Sequence, residues 1–244
     1  MANTAASDCM TIARRLATAA DALRFTTPSH VYNPLDYAWK AHCRYLQRFG
    51  ARRGRVLLLG MNPGPWGMAQ TGVPFGEVGI TRQWLQIDEP ITPPLPAQHR
   101  KYPITGFDCT RSESTGKRFW GWAGERFGSA ERFFAHFFVW NYCPLLFLAH
   151  NRNLVPGKLG KAELEPLEQV CDRALADLLQ AIQPRAVIGI GRYAEVRARK
   201  VVEGRLSVDY LHHPSPANPA ANRDWPAMAD AALTPWMSCA AGSR

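Results

Sequence analysis

Four segments rich in glycine or polar side chains each begin where a short apolar run of the sequence ends. They are Gly60–Gly64, Asn141–Pro144, Gly191–Arg192 and His212–Asn218. Asparagine amides both donate and accept hydrogen bonds, and histidine can donate, accept or carry a charge near neutral pH. These side chains can therefore orient and polarise a ligand, provided that the fold brings them together.

The richest of these segments, Gly60–Glu77, contains five glycines and three prolines around Asn62, Gln70 and Phe75. Glycine allows tight turns and close approach of a ligand to the backbone, while proline restricts the chain and lowers the entropy cost of ordering it. Taken alone, such a segment is more often a structural loop than a catalytic one. It lacks the Lys and Ser/Thr of a phosphate-binding P-loop.

Two adjacent histidines, His212 and His213, close the last apolar run. Because side chains alternate along a strand, at most one of them can face a ligand, and the other is expected to be structural. A helix is predicted to begin near Pro219–Asn222, directly after this segment.

The apolar runs themselves predict the strands of a parallel sheet, because strands buried on both faces are continuously apolar. Crossover helices such as Ala162–Ile182 separate them, which favours an α/β fold. Ligands of such sheets bind at the carboxyl edge, so the four polar segments are predicted to line one crevice. The predicted strands are Arg55–Gly60, Phe137–Tyr142, Ala186–Gly191 and Ser207–His212.

Two helices, Ala5–Phe25 and Leu35–Phe49, are predicted to precede the first strand, with Asn33 and Pro34 starting the second of them. The long Pro-rich stretch Pro90–Gly116 is predicted to be functional or mobile. A single domain over residues 1–244 is expected, with N-terminal helices in 1–50, a catalytic core in 55–233 and a disordered tail in 237–244.

Composition narrows the class of protein. The 244 residues are 46% hydrophobic, which is enough to bury a full core. The chain has 29 Lys and Arg against 20 Asp and Glu, which gives a formal charge of +9. This positive charge favours a polyanionic partner such as nucleic acid. The six cysteines have no metal-binding spacing, so no metal or other cofactor is expected. The N-terminus lacks a signal-peptide pattern and no apolar run is long enough to span a membrane, which predicts a cytoplasmic protein, taken to be a monomer.

Three segments together resemble the motifs of single-strand-selective monofunctional uracil-DNA glycosylases. They are Gly60–Glu77 (GMNPGPWGMAQTGVPFGE), Asn141–Leu145 (NYCPL) and His213–Pro219 (HPSPANP). The likeness keeps the order of the motifs and runs from about Arg55 to Trp225. It implies a three-layer α/β/α fold with a central four-stranded parallel sheet, and an enzyme that releases uracil or related damaged pyrimidines from DNA.

The resemblance also implies roles for individual residues. In that family the first-motif asparagine, here Asn62, positions the attacking water, and the second-motif histidine, here His213, stabilises the departing base. Asn141 reads the pyrimidine edge and Phe75 stacks on the flipped base. The backbone around Met61 and Gly64 shapes the pocket floor.

The second motif supplies the segment that wedges into the duplex, where the family usually carries Arg at the position of Ala217. A proline can act as an apolar wedge between base steps. DNA phosphates are expected at Ser215, at Arg192, and at Arg111 or Lys117 in the long loop. The predicted DNA-contacting residues are Ser215, Pro216, Ala217, Asn218 and Arg192.

Two other classes of protein are compatible with parts of this pattern. A DNA-binding module without catalysis would use the basic crevice and its aromatic residues. A nucleotide-binding transferase would use the glycine-rich segment for phosphate, but the sequence lacks the metal-binding residues that this chemistry needs. The sequence leaves the protonation state of His213 open, because either a neutral or a charged ring can stabilise the departing base.

Overall fold

A computed structural model describes residues 2–92 and 98–237 of the chain. Its centre is a four-stranded parallel sheet, in which the strands lie in the order Phe137–Asn141, Val56–Gly60, Ala186–Ile190 and Val208–Leu211. The strands are fully or largely buried because both faces of the sheet are covered, which explains their continuous apolar sequences. The predicted parallel sheet is confirmed, with strands β2 (Val56–Gly60), β3 (Phe137–Asn141), β6 (Ala186–Ile190) and β7 (Val208–Leu211).

Helices surround this sheet, as expected for an α/β fold. The longest, Lys161–Ile182, begins within one residue of the predicted start of the crossover helix and connects the two halves of the sheet. The helices are α1 (Ala2–Asp21), α2 (Pro34–Tyr37), α3 (Trp39–Phe49), α4 (Met68–Thr71), α5 (Val78–Gln83), α6 (Ser114–Phe127), α7 (Ala130–His136), α8 (Lys161–Ile182), α9 (Arg192–Val202) and α10 (Ala221–Leu233).

The N-terminal helices differ in detail from the sequence-based prediction. The first ends at Asp21, four residues earlier than predicted, and the second is divided at Ala38 into α2 and α3. Asn33 caps α2 as predicted, because its side chain accepts a hydrogen bond from the backbone N–H of Leu35 over 3.1 Å. The division falls where Gly72 packs so closely on Ala38 that an added Cβ would lie 2.8 Å from the Ala38 carbonyl oxygen.

A second, antiparallel sheet was not predicted from the sequence. It consists of β1 (His30–Tyr32), β4 (Leu146–Ala149) and β5 (Arg152–Leu154), in the order β1-β4-β5. The expectation that the first strand follows two helices is therefore wrong, since β1 lies between α1 and α2. Strands of three or four residues are too short to show a periodic pattern, so only tertiary pairing reveals them.

Of the tail predicted to be disordered, only Met237 belongs to the described part of the chain, and residues 238–244 lie outside it. The long stretch Pro90–Gly116 is described except for residues 93–97. The last residues of this stretch form the first turn of α6, which lies at the carboxyl edge of the sheet.

Candidate active site

A cavity of about 430 Å³ opens at the carboxyl edge of the parallel sheet. Segments that follow β2, β3 and β7 meet there, as predicted, whereas the segment that follows β6 does not line it. The start of α6 and strand β5 complete the walls. The lining residues are Met61, Asn62, Pro63, Gly64, Pro65, Gly67, Met68, Phe75, Glu113, Thr115, Gly116, Asn141, Asn153, Val155, His213, Ser215, Ala217 and Asn218.

Asn62 lines this cavity in a defined orientation. Its amide nitrogen Nδ2 donates to the backbone oxygen of Leu145 over 3.1 Å and to that of Pro63 over 3.4 Å. An amide has one carbonyl oxygen and one NH₂ group, so these contacts use the donor end. The oxygen Oδ1 is left as an acceptor, the end that can orient a water molecule.

His213 lines the cavity from the opposite end of the sheet, after β7. Its Nδ1 accepts a hydrogen bond from the backbone N–H of Ser215 over 3.2 Å. Burial lowers the pKa of His213 to about 4, because a charged ring loses its hydration there. The preceding His212 instead contacts the hydroxyl of Tyr210 through Nδ1, over 3.1 Å, and is absent from the cavity lining. The two histidines thus face different ways, as strand alternation predicted.

Asn141, at the end of β3, is buried at the base of the cavity. Its Nδ2 lies 3.1 Å from the sulfur of Met68, and its Oδ1 lies over Gly60. A Cβ at Gly60 would stand 2.2 Å from that oxygen and 2.9 Å from the ring of Phe75. Glycine at position 60 is therefore required for both side chains to occupy the cavity.

Phe75 forms one wall with its ring stacked on that of Phe119, at a centroid distance of 4.8 Å and an interplanar angle of 21°. Its centroid is 6.2 Å from that of the His213 ring. The backbone of Phe75 has a φ of 54°, which is uncommon for a bulky residue and indicates local strain. Gly116 makes this possible, since a Cβ there would lie 2.1 Å from the Phe75 carbonyl oxygen.

Gln70 holds the glycine-rich segment in place. Its Nε2 donates to the carbonyl oxygens of Pro65 and Pro103, each over 2.9 Å. Its Oε1 accepts from the N–H groups of Thr105 and Gly106 over 2.9 and 3.1 Å. One fully buried amide therefore ties the segment to the long loop through both of its polar ends.

Backbone hydrogen bonds join the segments that follow β2 and β3. The N–H of Cys143 donates to the carbonyl oxygen of Met61 over 2.8 Å, and the N–H of Tyr142 donates to that of Gly60 over 2.9 Å. The Tyr142 hydroxyl in turn donates to Asp172 over 2.7 Å. Asp172 is ion-paired with Arg197, so helices α8 and α9 support the segment that carries the predicted base-reading residue.

The predicted wedge segment forms a rigid turn beside the cavity. Ser215 Oγ accepts from the N–H of Ala217 over 3.2 Å, and Asn218 donates through Nδ2 to the carbonyl oxygen of His213 over 3.0 Å. Ser215, Ala217 and Asn218 line the cavity, whereas Pro216 is exposed and does not.

Arg118 of α6 stabilises this turn through hydrogen bonds. Its Nη1 donates to the carbonyl oxygens of Pro214 and Ala221 over 3.0 and 3.1 Å, and its Nη2 donates to Asn222 Oδ1 over 3.2 Å. Sequence reasoning missed Arg118, because nothing near it in the chain shows that it meets residues about a hundred positions later.

Of the predicted phosphate-binding residues, Ser215 lines the cavity, whereas the cations Arg192, Arg111 and Lys117 lie outside it. Arg192 is exposed and forms an ion pair of 2.6 Å with Glu195 one turn later on α9. Arg111 lies over the Trp66 ring at 5.3 Å, and Lys117 is exposed on α6. Contact of these cations with DNA stays a prediction.

Five lining residues outside the three motifs were also missed: Glu113, Thr115 and Gly116 at the start of α6, and Asn153 and Val155 in and after β5. For the first three, the only signal in the sequence was that they lie at the end of the long polar loop. Asn153 and Val155 had none, because the short antiparallel sheet that places them leaves no pattern in the sequence.

Within the ranges 2–92 and 98–237, no cluster of three or more His, Cys, Asp or Glu is arranged to hold a metal ion. Across the same ranges, no helix combines the length and the apolar character required to cross a membrane.

Comparisons with known proteins agree with the resemblance of the three motifs. The family model described as "Uracil DNA glycosylase superfamily" matches residues 47–234. The single-strand selective monofunctional uracil DNA glycosylase of Mus musculus is 48% identical over 212 residues, covering 85% of this chain and 76% of the relative. That of Bos taurus is 48% identical over 203 residues, covering 82% and 74%. The crystal structure of wild-type Pedobacter heparinus SMUG2 matches with a TM-score of 0.62 at 18% identity, over 92% of this chain and 96% of that chain, which shows a shared fold.

Proposed function

The chain belongs to the uracil DNA glycosylase superfamily, and from that premise we propose that it hydrolyses the bond between uracil and deoxyribose in DNA. The product is an abasic site, so the reaction initiates base excision repair. The enzyme is monofunctional, as the names of its mammalian relatives state for those proteins. Its partner is DNA, in keeping with a formal charge of +9.

The observation that carries the proposal is the meeting of Asn62 and His213 in one cavity, although 151 positions separate them in the chain. A uracil base leaves as an anion while the sugar gains positive charge, so catalysis needs fixed dipoles more than a strong nucleophile. His213 donates a hydrogen bond to the base O2, and Asn62 orients water through its free Oδ1. Both side chains are held in place by hydrogen bonds before substrate arrives.

Asn141 and Phe75 select and hold the base. The Asn141 amide offers a donor to O4 and an acceptor to N3–H of uracil, whereas cytosine would set its exocyclic amine against the donor. The Phe75 ring stacks on the flipped base. The target nucleotide must leave the duplex at a cost of a few kcal/mol, and the turn Ser215–Asn218 fills part of the gap.

Uracil is the first substrate, and oxidised pyrimidines are further members of the proposed range. Preference for single- over double-stranded DNA is proposed from the names of the relatives. Monomeric state and cytoplasmic location remain sequence-based predictions.

A direct test measures free uracil released from a labelled single-stranded oligonucleotide. Wild-type chain should release it, and Asn62→Ala should lower the rate roughly 100- to 1000-fold without abolishing DNA binding. Binding without release by the wild type would instead identify a DNA-binding module. A covalent adduct trapped by borohydride would contradict a monofunctional enzyme.

A further inference from the structure

Tyr142 directly follows the proposed base-reading residue Asn141, and its hydroxyl group joins an ionic cluster outside the cavity lining. Helices α8 and α9 each supply two side chains of this cluster, one helical turn apart. They are Glu168 and Asp172 on α8, and Tyr193 and Arg197 on α9. None of these four side chains lines the cavity, and the proposed reaction gives them no task.

Arg197 holds both carboxylates of the cluster. Its Nη1 donates to Glu168 Oε2 over 2.6 Å, and Glu168 Oε1 accepts from the Tyr193 hydroxyl over 3.0 Å. Its Nε donates to Asp172 Oδ1 over 3.2 Å, and its Nη2 donates to Asp172 Oδ2. This two-point contact fixes the plane of the Asp172 carboxylate, because a guanidinium presents its N–H groups as a rigid fork. Arg197 is 7% exposed, so solvent screens these pairs weakly.

The fixed carboxylate in turn holds Tyr142. The Tyr142 hydroxyl donates to Asp172 Oδ1 over 2.7 Å, and the guanidinium carbon of Arg197 lies 5.6 Å from the centroid of the Tyr142 ring. Burial raises the pKa of Tyr142, and the neighbouring Cys171 and Asp172 add smaller shifts in the same direction. The hydroxyl therefore keeps its proton and remains a donor, and Arg197 reaches it through a single carboxylate.

Tyr142 belongs to the buried turn that follows β3, and this turn serves both parts of the proposed reaction. It begins at Asn141, the proposed reader of the base. Further along, the N–H of Leu145 donates to the Cys143 sulfur over 3.4 Å, and the carbonyl oxygen of Leu145 accepts from Asn62 over 3.1 Å. A shift of this turn would therefore move the base-reading amide and rotate the water-orienting amide together.

We propose that Arg197 is a positioning residue for uracil excision, acting through Asp172 and the Tyr142 hydroxyl on the turn that follows β3. This inference rests on the proposed function and deepens it. A buried ion pair adds little net stability, because the loss of hydration offsets the attraction between the charges. Its effect here is geometric: it selects one position of the turn, and small displacements in a catalytic site are costly in rate.

The test is a double-mutant cycle on the rate constant of uracil release from single-stranded DNA at saturating enzyme. This rate constant does not depend on the folded fraction, so a loss of stability alone leaves it unchanged. Tyr142→Phe removes one oxygen atom and keeps the ring, whereas Arg197→Met removes the charge. Each should lower the rate constant about tenfold, and the double variant should fall no more than about twofold further, since both changes break the same link.

A second readout is the concentration of free uracil that half-inhibits excision, which reports on the base-reading amide. It should rise about threefold in both single variants. Arg199→Met is the matched control, because it removes another ion pair of α9, with Glu195 at 3.0 Å. Both quantities should stay within about twofold of wild type in this control.

Additive effects in the cycle would overturn the inference, because Arg197 would then act apart from Tyr142. An unchanged rate constant or an unchanged inhibitory concentration in Tyr142→Phe would overturn it as well, and this variant carries the test if Arg197→Met does not fold. In each case, release of uracil by the wild type leaves the proposed function standing. No release by the wild type removes the proposed function, and this inference with it.

Discussion

The backbone N–H of Ser215 donates a hydrogen bond to Nδ1 of His213, two positions earlier in the chain, over 3.2 Å. Because Nδ1 is an acceptor in this contact, the neutral ring carries its proton on Nε2. Burial lowers the pKa of His213 to about 4, so the ring is neutral at pH 7. Of the two protonation states that the sequence left open, the structure favours the neutral ring, and in the proposed reaction His213 would offer the departing base a neutral donor.

This arrangement predicts the pH dependence of excision. The pKa of the folded state is lowered, so the active neutral form exists above about pH 4 and is lost as the pH falls through that value. We expect kcat/KM for uracil in single-stranded DNA to stay level from about pH 8 to about pH 5.5 and then to decline. Single-turnover rates across this range measure it.

Two controls accompany the pH profile. The decline should persist in Glu113→Gln if it belongs to His213, and circular dichroism should show that the protein remains folded. An inflection near 6.5, the ordinary pKa of histidine, would contradict the assignment.

Exchange of the amide of Asn141 for a carboxyl group should change base selection. Asn141→Asp loses the donor proposed for O4, so we expect rejection of cytosine to weaken and the cytosine-to-uracil ratio of kcat/KM to rise about tenfold. Asn151→Asp, in the exposed turn between β4 and β5, is the matched control. Equally tight rejection of cytosine in both variants would refute the role of Asn141.

Gly60→Ala should inactivate the site without unfolding the protein. The added Cβ would displace both Asn141 and Phe75, and a displacement near 1 Å in a catalytic site can cost about 100-fold in rate. Gly121→Ala is the control, because a Cβ there meets nothing within 4 Å. Wild-type activity of Gly60→Ala would show that the site tolerates movement of these side chains.

Gln70 should stabilise the fold more than its size suggests. Gln70→Leu leaves two backbone N–H groups and two carbonyl oxygens without their partner, so we expect the free energy of unfolding to fall by roughly 2–4 kcal/mol. Urea unfolding measures the change. Gln180→Leu, at an exposed position of α8, should have little effect, and equal midpoints for the two variants would exclude this bridging role.

Ala217→Arg should increase activity on duplex DNA. Position 217 is exposed at the cavity mouth, and a long cationic side chain there can fill the gap left by the flipped nucleotide and approach phosphates. We expect the double- to single-strand activity ratio to rise about fivefold, the factor supplied by about 1 kcal/mol. Ala217→Gln separates length from charge, and no gain with Arg would show that the turn needs no wedge side chain.

Local patterns were sufficient to predict the parallel sheet and the segments at its carboxyl edge. Each strand is a continuous apolar run, since both faces are buried, and each polar segment begins where such a run ends. The geometry of a parallel sheet then gathers those segments on one edge. For the same reason the segments that carry Asn62 and His213 were assigned to one crevice from the sequence alone, while the choice of His213 over His212 came from the resemblance of the motifs.

Tertiary structure decided the features that depend on distant contacts. The orientation of Asn62 is set by the carbonyl oxygen of Leu145, 83 positions away, and the wedge turn is held by Arg118, 96 positions before Pro214. Glu113 joins the cavity because α6 begins above Gly64. Sequence periodicity reports which face of an element is buried, whereas the partner of a single polar side chain depends on where the folded backbone passes.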